Sequence, residues 1–331
     1  MTKRNWTVIV IVAVIIGGVY VWSALAKSAK TQELLNTLPS GDDAKSLDAM
    51  QQLRQRGASI GPRLAALLNS APPASFRAAS LLGTIRYKAA IPDLTAALGS
   101  ADPDTRGCAA LALGQLGATD AVRQMTALLA SSEEKPYVRI QVANALALLK
   151  AKDPATVKAM GDILADHPPV PPEVPPGTKP KPVDPKAPKP PEDKTIKLRG
   201  AVARALGMIG DPAGVEAVRD AADKALEPNV EVRVAAAYAL GDLGKAMEQE
   251  PTATPSVIKG LVGALEDKNG DVRIAAVFSL GQFQIGETNR PEAEAALQKA
   301  VADDHYWVRR GAQRALKRMN VPVTLDEVQY G

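Results

Sequence analysis

Cysteine occurs once in this chain and histidine twice, so the side chains that most often bind transition metals or act as nucleophile and base are nearly missing. Cys108 alone cannot form an intramolecular disulfide, and its place in Arg106-Gly107-Cys108-Ala109-Ala110 predicts a small buried residue on a helix stripe. The sequence holds no Cys-x-x-Cys, His-Glu-x-x-His, Gly-x-Ser-x-Gly or phosphate-cradling glycine loop. Aromatic residues make up only 4%, and 40 basic residues stand against 36 acidic ones. That small excess is too weak for a nucleic-acid-binding surface, so no nucleic acid is expected as a partner. These absences point away from an enzyme and from a resident cofactor. The sharpest metal candidate is Asp303-Asp304-His305. Acids directly before a helix more commonly serve its positive end, and that role is expected here. Tyr306 and Trp307 are then expected to cover the apolar edge of the last helix pair.

A short pattern is present seven times. Its clearest forms are Val232-Arg233-Val234-Ala235-Ala236-Ala237-Tyr238-Ala239-Leu240-Gly241 and Val272-Arg273-Ile274-Ala275-Ala276-Val277-Phe278-Ser279-Leu280-Gly281. Equivalent arginines are Arg77, Arg106, Arg139, Arg199, Arg233, Arg273 and Arg309, spaced 29, 33, 60, 34, 40 and 36 residues apart. A period in the thirties marks a helical solenoid with one long insertion. Each unit reads as a helix pair. In the first helix, small apolar residues such as Val232, Ala235, Ala236, Ala239 and Leu240 fall at helical spacing and permit close approach. Asn229 or Glu231 is expected to cap its start, and Gly244 to end it in the left-handed conformation. A second apolar segment follows each first one: 91–98, 121–130, 155–164, 214–226, 255–265 and 291–301, with a weaker pair at 47–69.

The recurring Asp-x-x-Val-Arg-x-x-Ala-Ala-x-Ala-Leu-Gly signature resembles HEAT-like repeats of the type found in phycobilisome lyases, over roughly residues 73 to 319. The resemblance implies a right-handed all-α solenoid of stacked helix pairs. It also implies a structural role for the arginine row, tying one repeat to the next through neighbouring acids, for which Asp104, Glu231 and Asp271 are the candidates. Lyase activity would rest on fold analogy alone.

At the amino end, Lys3-Arg4 precede residues 6–26, a run of 21 without a charge. This length suits a membrane-spanning helix, with Trp6, Tyr20 and Trp22 at its ends and the basic residues keeping the amino terminus cytoplasmic. Ala13, Gly17 and Gly18 form a small-residue step that could seat a partner's membrane helix. The rival expectation is a signal peptide cleaved after Ala26, since Ala24-Leu25-Ala26 fits the small-x-small rule. From His167 to Lys194 the chain carries twelve prolines, which predicts a solvated, polyproline-like excursion. It reads as a surface loop, or as a docking strand in which Lys179, Lys181, Lys186 and Lys189 contact a partner.

The organisation expected is therefore a cytoplasmic tip (1–5), an anchor crossing the lipid bilayer (6–26), a linker (27–44), repeats (45–166), the insertion (167–194), further repeats (195–319) and a tail (320–331). The function expected is a non-catalytic, membrane-tethered scaffold outside the cytoplasm, periplasmic in a Gram-negative cell. It would bind other proteins as an accessory subunit of a membrane complex. The alternative is an extracytoplasmic binding protein for a cell-wall polymer, chromophore or metal centre.

Overall fold

Alternating pairs of helices account for almost every described residue of the computed structural model, which covers residues 25–169, 193–248 and 254–323. Among these there are sixteen α-helices and no strand. No described helix is long and apolar enough to cross a membrane. Residues 6–24 of the expected anchor, with Ala13, Gly17 and Gly18, lie outside the described residues.

The chain divides into two compact units, Met1–Leu116 and Gly117–Gly331. In the first, α1 covers residues 25–37, followed by α2 (Asp43–Gln55), α3 (Gly61–Leu67), α4 (Ala74–Thr84), α5 (Ile91–Ala97) and α6 (Pro103–Leu116). The linker expected over 27–44 is thus mostly helix. Leu34, Leu35 and Leu38 are buried, which gives this segment an apolar side of its own. Asp42 caps α2, its carboxylate accepting from the Lys45 N–H. The helices α2 and α6 both pack on α4, α3 also packs on α4, and α5 packs on α6.

The second unit contains α7 (Val122–Ala130), α8 (Pro136–Leu148), α9 (Pro154–Ala165), α10 (Ile196–Ile209), α11 (Val215–Ala222), α12 (Val230–Ala246), α13 (Thr254–Ala264), α14 (Gly270–Leu280), α15 (Arg290–Ala300) and α16 (Tyr306–Arg318). Even-numbered helices stack in order, α8 on α10, α10 on α12, α12 on α14 and α14 on α16, and the odd-numbered ones form a second layer against them. Because α8 packs directly on α10, the proline-rich insertion interrupts the sequence without interrupting the stack. Proline falls in the first turn of α8, α9 and α15, where its missing N–H costs no hydrogen bond.

Small residues set the spacing of the even layer. Ala235, Ala236, Ala237 and Ala239 of α12 are all buried. At Gly207 an added Cβ would lie 2.8 Å from the Ala239 Cα, and at Gly241 it would lie 2.7 Å from the Ser279 Cβ. The Leu-Gly pairs of the repeat are therefore contact points between neighbouring helices. Gly244 likewise does not end its helix in the left-handed region: α12 continues to Ala246, and Gly244 is buried where a Cβ would meet the Phe283 ring at 2.6 Å. Buried polar ties join neighbouring helices in both layers, α14 to α12 in the even one and α9 to α7 in the odd one. Ser279 Oγ donates to the Ala237 carbonyl at 2.9 Å, and the Thr126 and Thr156 hydroxyls pair at 2.6 Å.

Candidate protein-docking face

The arginine row is occupied by the protein's own backbone and acids. In the second unit one geometry recurs. Arg233 places Nε and Nη2 on the two carboxylate oxygens of Asp267, at 2.7 and 3.2 Å, while its Nη1 donates to the carbonyls of Glu227 and Pro228. Arg273 repeats this with Asp303 at 2.8 and 3.0 Å and the carbonyls of Asp267 and Lys268, and it also reaches Asp304 at 2.5 Å. Arg199 grips Glu227 at 3.1 Å through Nε and Nη2, both side chains being buried, and pairs with Asp193 at 2.9 Å. Arg309 binds the carbonyls of Asp303 and Asp304. Bidentate guanidinium–carboxylate pairing fixes orientation as well as distance.

Each acid in this ladder has a second task. Glu227, Asp267 and Asp303 accept from the backbone N–H of Asn229, Asn269 and His305, at 2.7, 2.8 and 2.8 Å. Asn229, Asn269 and His305 in turn cap α12, α14 and α16. The partner acids are thus not those of the signature. Asp104, Glu231 and Asp271 sit exposed in the first turn of their helices, where a carboxylate favours the positive helix end. The signal that marks the true partners is acid-x-Asn/His-x-x-x-Arg, present at 227–233, 267–273 and 303–309.

Arginines nearer the amino end also reach backbone carbonyls. Arg77 donates to the carbonyls of Leu38 and Ser40 and to Ser46 Oγ at 2.7 to 2.8 Å, and its contact with Asp43 is largely solvated. Arg106 donates to the Ser100 and Ala101 carbonyls, and Arg139 to that of Leu129. Burial holds the Arg139 guanidinium below its usual value, against the charge of Asp166.

The residues considered for metal binding belong to this ladder. Burial raises the Asp303 carboxyl, but hydrogen bonds from Arg273 and the His305 N–H bring it below the usual carboxylate range. His305 Nδ1 accepts from the Trp307 N–H. Among the described residues no group of three or more His, Cys, Asp or Glu is placed to hold a metal. Cys108 is half-buried rather than fully buried. Burial, with the nearby charges of Asp104 and Asp102, pushes its thiol up to about 11, so it is protonated and a weak nucleophile at neutral pH. Lys179, Lys181, Lys186 and Lys189 lie outside the described residues.

The even layer also has a solvent-facing side. It carries Leu148 on α8, Met208 on α10, Tyr238 on α12, Phe278 on α14 and Trp307 on α16, all solvent-exposed, Phe278 and Trp307 to 58% and 59%. Tyr238 and Phe278 meet edge to face, ring centres 5.9 Å apart. Trp307 therefore does not seal the edge of the last pair; it stands out beside Tyr306, whose ring lies 5.0 Å away. Between α14 and α16 the face opens into a groove of about 890 Å³, lined by Ile274, Val277, Phe278 and Trp307 and reached by Lys245 from α12.

A family model for HEAT repeats matches residues 61–147, 91–171, 192–281 and 258–329, which together span most of the sequence. The chain belongs to the HEAT repeat family. Among solved structures, this HEAT repeat protein is similar to the complex of CpcE and CpcF of phycocyanin lyase from Nostoc sp. PCC7120. Identity is 25% over 78% of this chain and 93% of that one, with a TM-score of 0.43. It is also similar to an engineered protein, at 19% identity over 79% of this chain and 97% of that one, with a TM-score of 0.40. At such TM-scores neither likeness bears on what this chain does. No curated protein matches it.

Proposed function

We propose that this HEAT repeat protein is a non-catalytic scaffold that binds other proteins on the even-helix face of its second unit. It is tethered to a membrane through residues 6–26, with its repeats outside the cytoplasm. The observation that carries this reading is the exposed row of Leu148, Met208, Tyr238, Phe278 and Trp307 along successive stacked helices, two of its aromatic rings already in contact. Large apolar and aromatic side chains held on rigid helices lose little freedom on binding, and such residues dominate protein interfaces. The tether rests on Lys3-Arg4 and the uncharged run that follows, and the non-catalytic role on the absent motifs.

A photo-crosslinking amino acid placed at Tyr238 or Phe278 in cells, with Lys259 on α13 as the opposite-layer control, tests the binding face. The expected result is a discrete protein adduct from 238 and 278 and none from 259. No adduct from the even face, or equal labelling from both layers, would sink the proposal. Protease added to spheroplasts tests the tether: the repeats should be digested, and protection of everything after Lys27 would reverse the orientation.

A further inference from the structure

We infer that the groove between α14 and α16 takes an acidic, extended peptide segment of a partner protein that also carries an apolar anchor. The inference rests on the scaffold reading and names the chemistry of the partner. Its basis is charge. The groove is lined by Lys245, Arg310, Arg314, Lys317 and Arg318 and by no acid. Among the described residues, Lys245, Arg310, Arg314 and Lys317 form no ion pair, in contrast to the ladder arginines Arg199, Arg233 and Arg273, though Lys245 lies within reach of the charge of Asp242. Arg318 donates to the Gly281 carbonyl and so borders the groove floor.

The four cations of α16 along an uncharged floor repel one another unless an anion enters, and several carboxylates on one strand would neutralise them together. The shape suits a strand. The helix α16 has 13 residues, so its side of the groove is about 20 Å long at ~1.5 Å per residue, which roughly six residues of extended chain would span. The floor adds the second requirement. Phe278 and Trp307 leave more than half of their surface to solvent at the groove wall, and an aliphatic or aromatic side chain laid against them would remove apolar area from water. A flat anionic membrane surface would meet the outward charges but would not fill the groove between the helices.

The test uses the full-length protein in detergent and a dansylated hexapeptide, Glu-Asp-Leu-Glu-Asp-Phe, with Lys-Lys-Leu-Lys-Lys-Phe as control. Binding is followed by energy transfer from Trp307 to dansyl, with Trp6 and Trp22 replaced by Phe. The acidic peptide should bind with a Kd of tens of micromolar that weakens at least tenfold from about 50 to about 500 mM NaCl. Arg310→Glu with Arg314→Glu should weaken it tenfold or more with the melting temperature kept, and Lys259→Glu should leave it unchanged. Equal binding of the basic peptide, or acidic-peptide binding indifferent to the double reversal, would overturn the inference. Binding that appears only after residues 324–331 are removed would overturn it too, assigning the groove to the chain's own Asp326 and Glu327. So would double-reversal-sensitive binding to phosphatidylglycerol vesicles with none to the peptide. If peptide binding fails while the crosslinks from Tyr238 and Phe278 persist, the scaffold reading survives and only the acidic partner falls.

Discussion

Replacing Arg199 with Met is the most direct test of whether the arginine row holds the stack. The side chains of Arg199 and Glu227 are 0% and 1% exposed, and the guanidinium contacts both carboxylate oxygens at 3.1 Å. Methionine has similar reach and fills most of the same space, so the cavity contribution is small. Glu227 would keep its 2.7 Å bond from the Asn229 N–H, yet its charge would stay buried without a counterion. Asp193, 2.9 Å from Arg199, would lose its partner as well. Breaking a buried pair from one side costs about 3–5 kcal/mol, because the remaining charge is desolvated and uncompensated. For a unit the size of Gly117–Gly331, that corresponds to a fall in Tm of roughly 6–20 °C. Thermal melts followed by circular dichroism measure it. A double-mutant cycle with Glu227→Gln isolates the pair: removing both charges should cost less than the sum of the single changes by about 0.5–3 kcal/mol. Lys299, whose contact with Glu266 is largely solvated, serves as the control, and its change to Ala should barely move the melt. An Arg199→Met protein that melts within about 1 °C of the parent, or single costs that simply add, would refute the buried-pair argument.

Two further outcomes follow from the same packing. Gly241→Ala should destabilise by about 1–3 kcal/mol, because its methyl would lie 2.6 Å from Ser279 Oγ, and this outweighs the roughly 1 kcal/mol gained in helix propensity; Gly263→Ala, with nothing within 4 Å, should be neutral or raise the Tm slightly. Reversed signs in the two melts would mean that the even helices do not touch at the Leu-Gly step. Asp303→Asn should destabilise at neutral pH. Because the folded carboxyl titrates below its usual 3.8, its contribution is present above that value and is lost as pH falls through the lower folded one, so the gap between variant and parent should close in acid. A gap that stays constant in melts from neutral pH down to about pH 2 would show that the ionised form of Asp303 does not matter.

Much of the fold was legible because its repeat carries two signals at once, an arginine at a fixed helix position and small residues at helical spacing. Those signals located α4, α6, α8, α10, α12, α14 and α16, and the intervening apolar runs located their odd-numbered partners. The helix over 25–37 was missed because its apolar side is short, Leu34 and Leu35 followed by Leu38 in the turn after it, and lies next to an uncharged run that reads as a separate element. The ladder was half legible: the arginines were found, but their acids were assigned to the signature itself. Side-chain reach decides that question, since Arg233 crosses to an acid 34 residues later in the loop before α14 and not to one on its own helix. Gly244 shows the same limit. A glycine near a helix end reads as a terminus, and only the position of Phe283 reveals that it clears space for a ring. The exposure of Phe278 and Trp307 was not readable either, because an aromatic in a repeat stripe looks alike whether it faces a neighbour or water.

The acid at the head of each loop and the arginine that follows it make residues 227–266 a segment with matching ends. It begins with Glu227, which receives Arg199, and contains Arg233, which reaches the acid that opens the next segment at Asp267. A gene duplication with breakpoints at these two acids would insert a further helix pair while every guanidinium still found a carboxylate, so the molecule could lengthen by recombination without compensating substitutions. Breakpoints at unequal places in the two loops, one before the acid and the other between acid and arginine, would instead leave a charge without its partner. Length variation among related chains should therefore fall into whole helix pairs, each bringing one acid and one arginine.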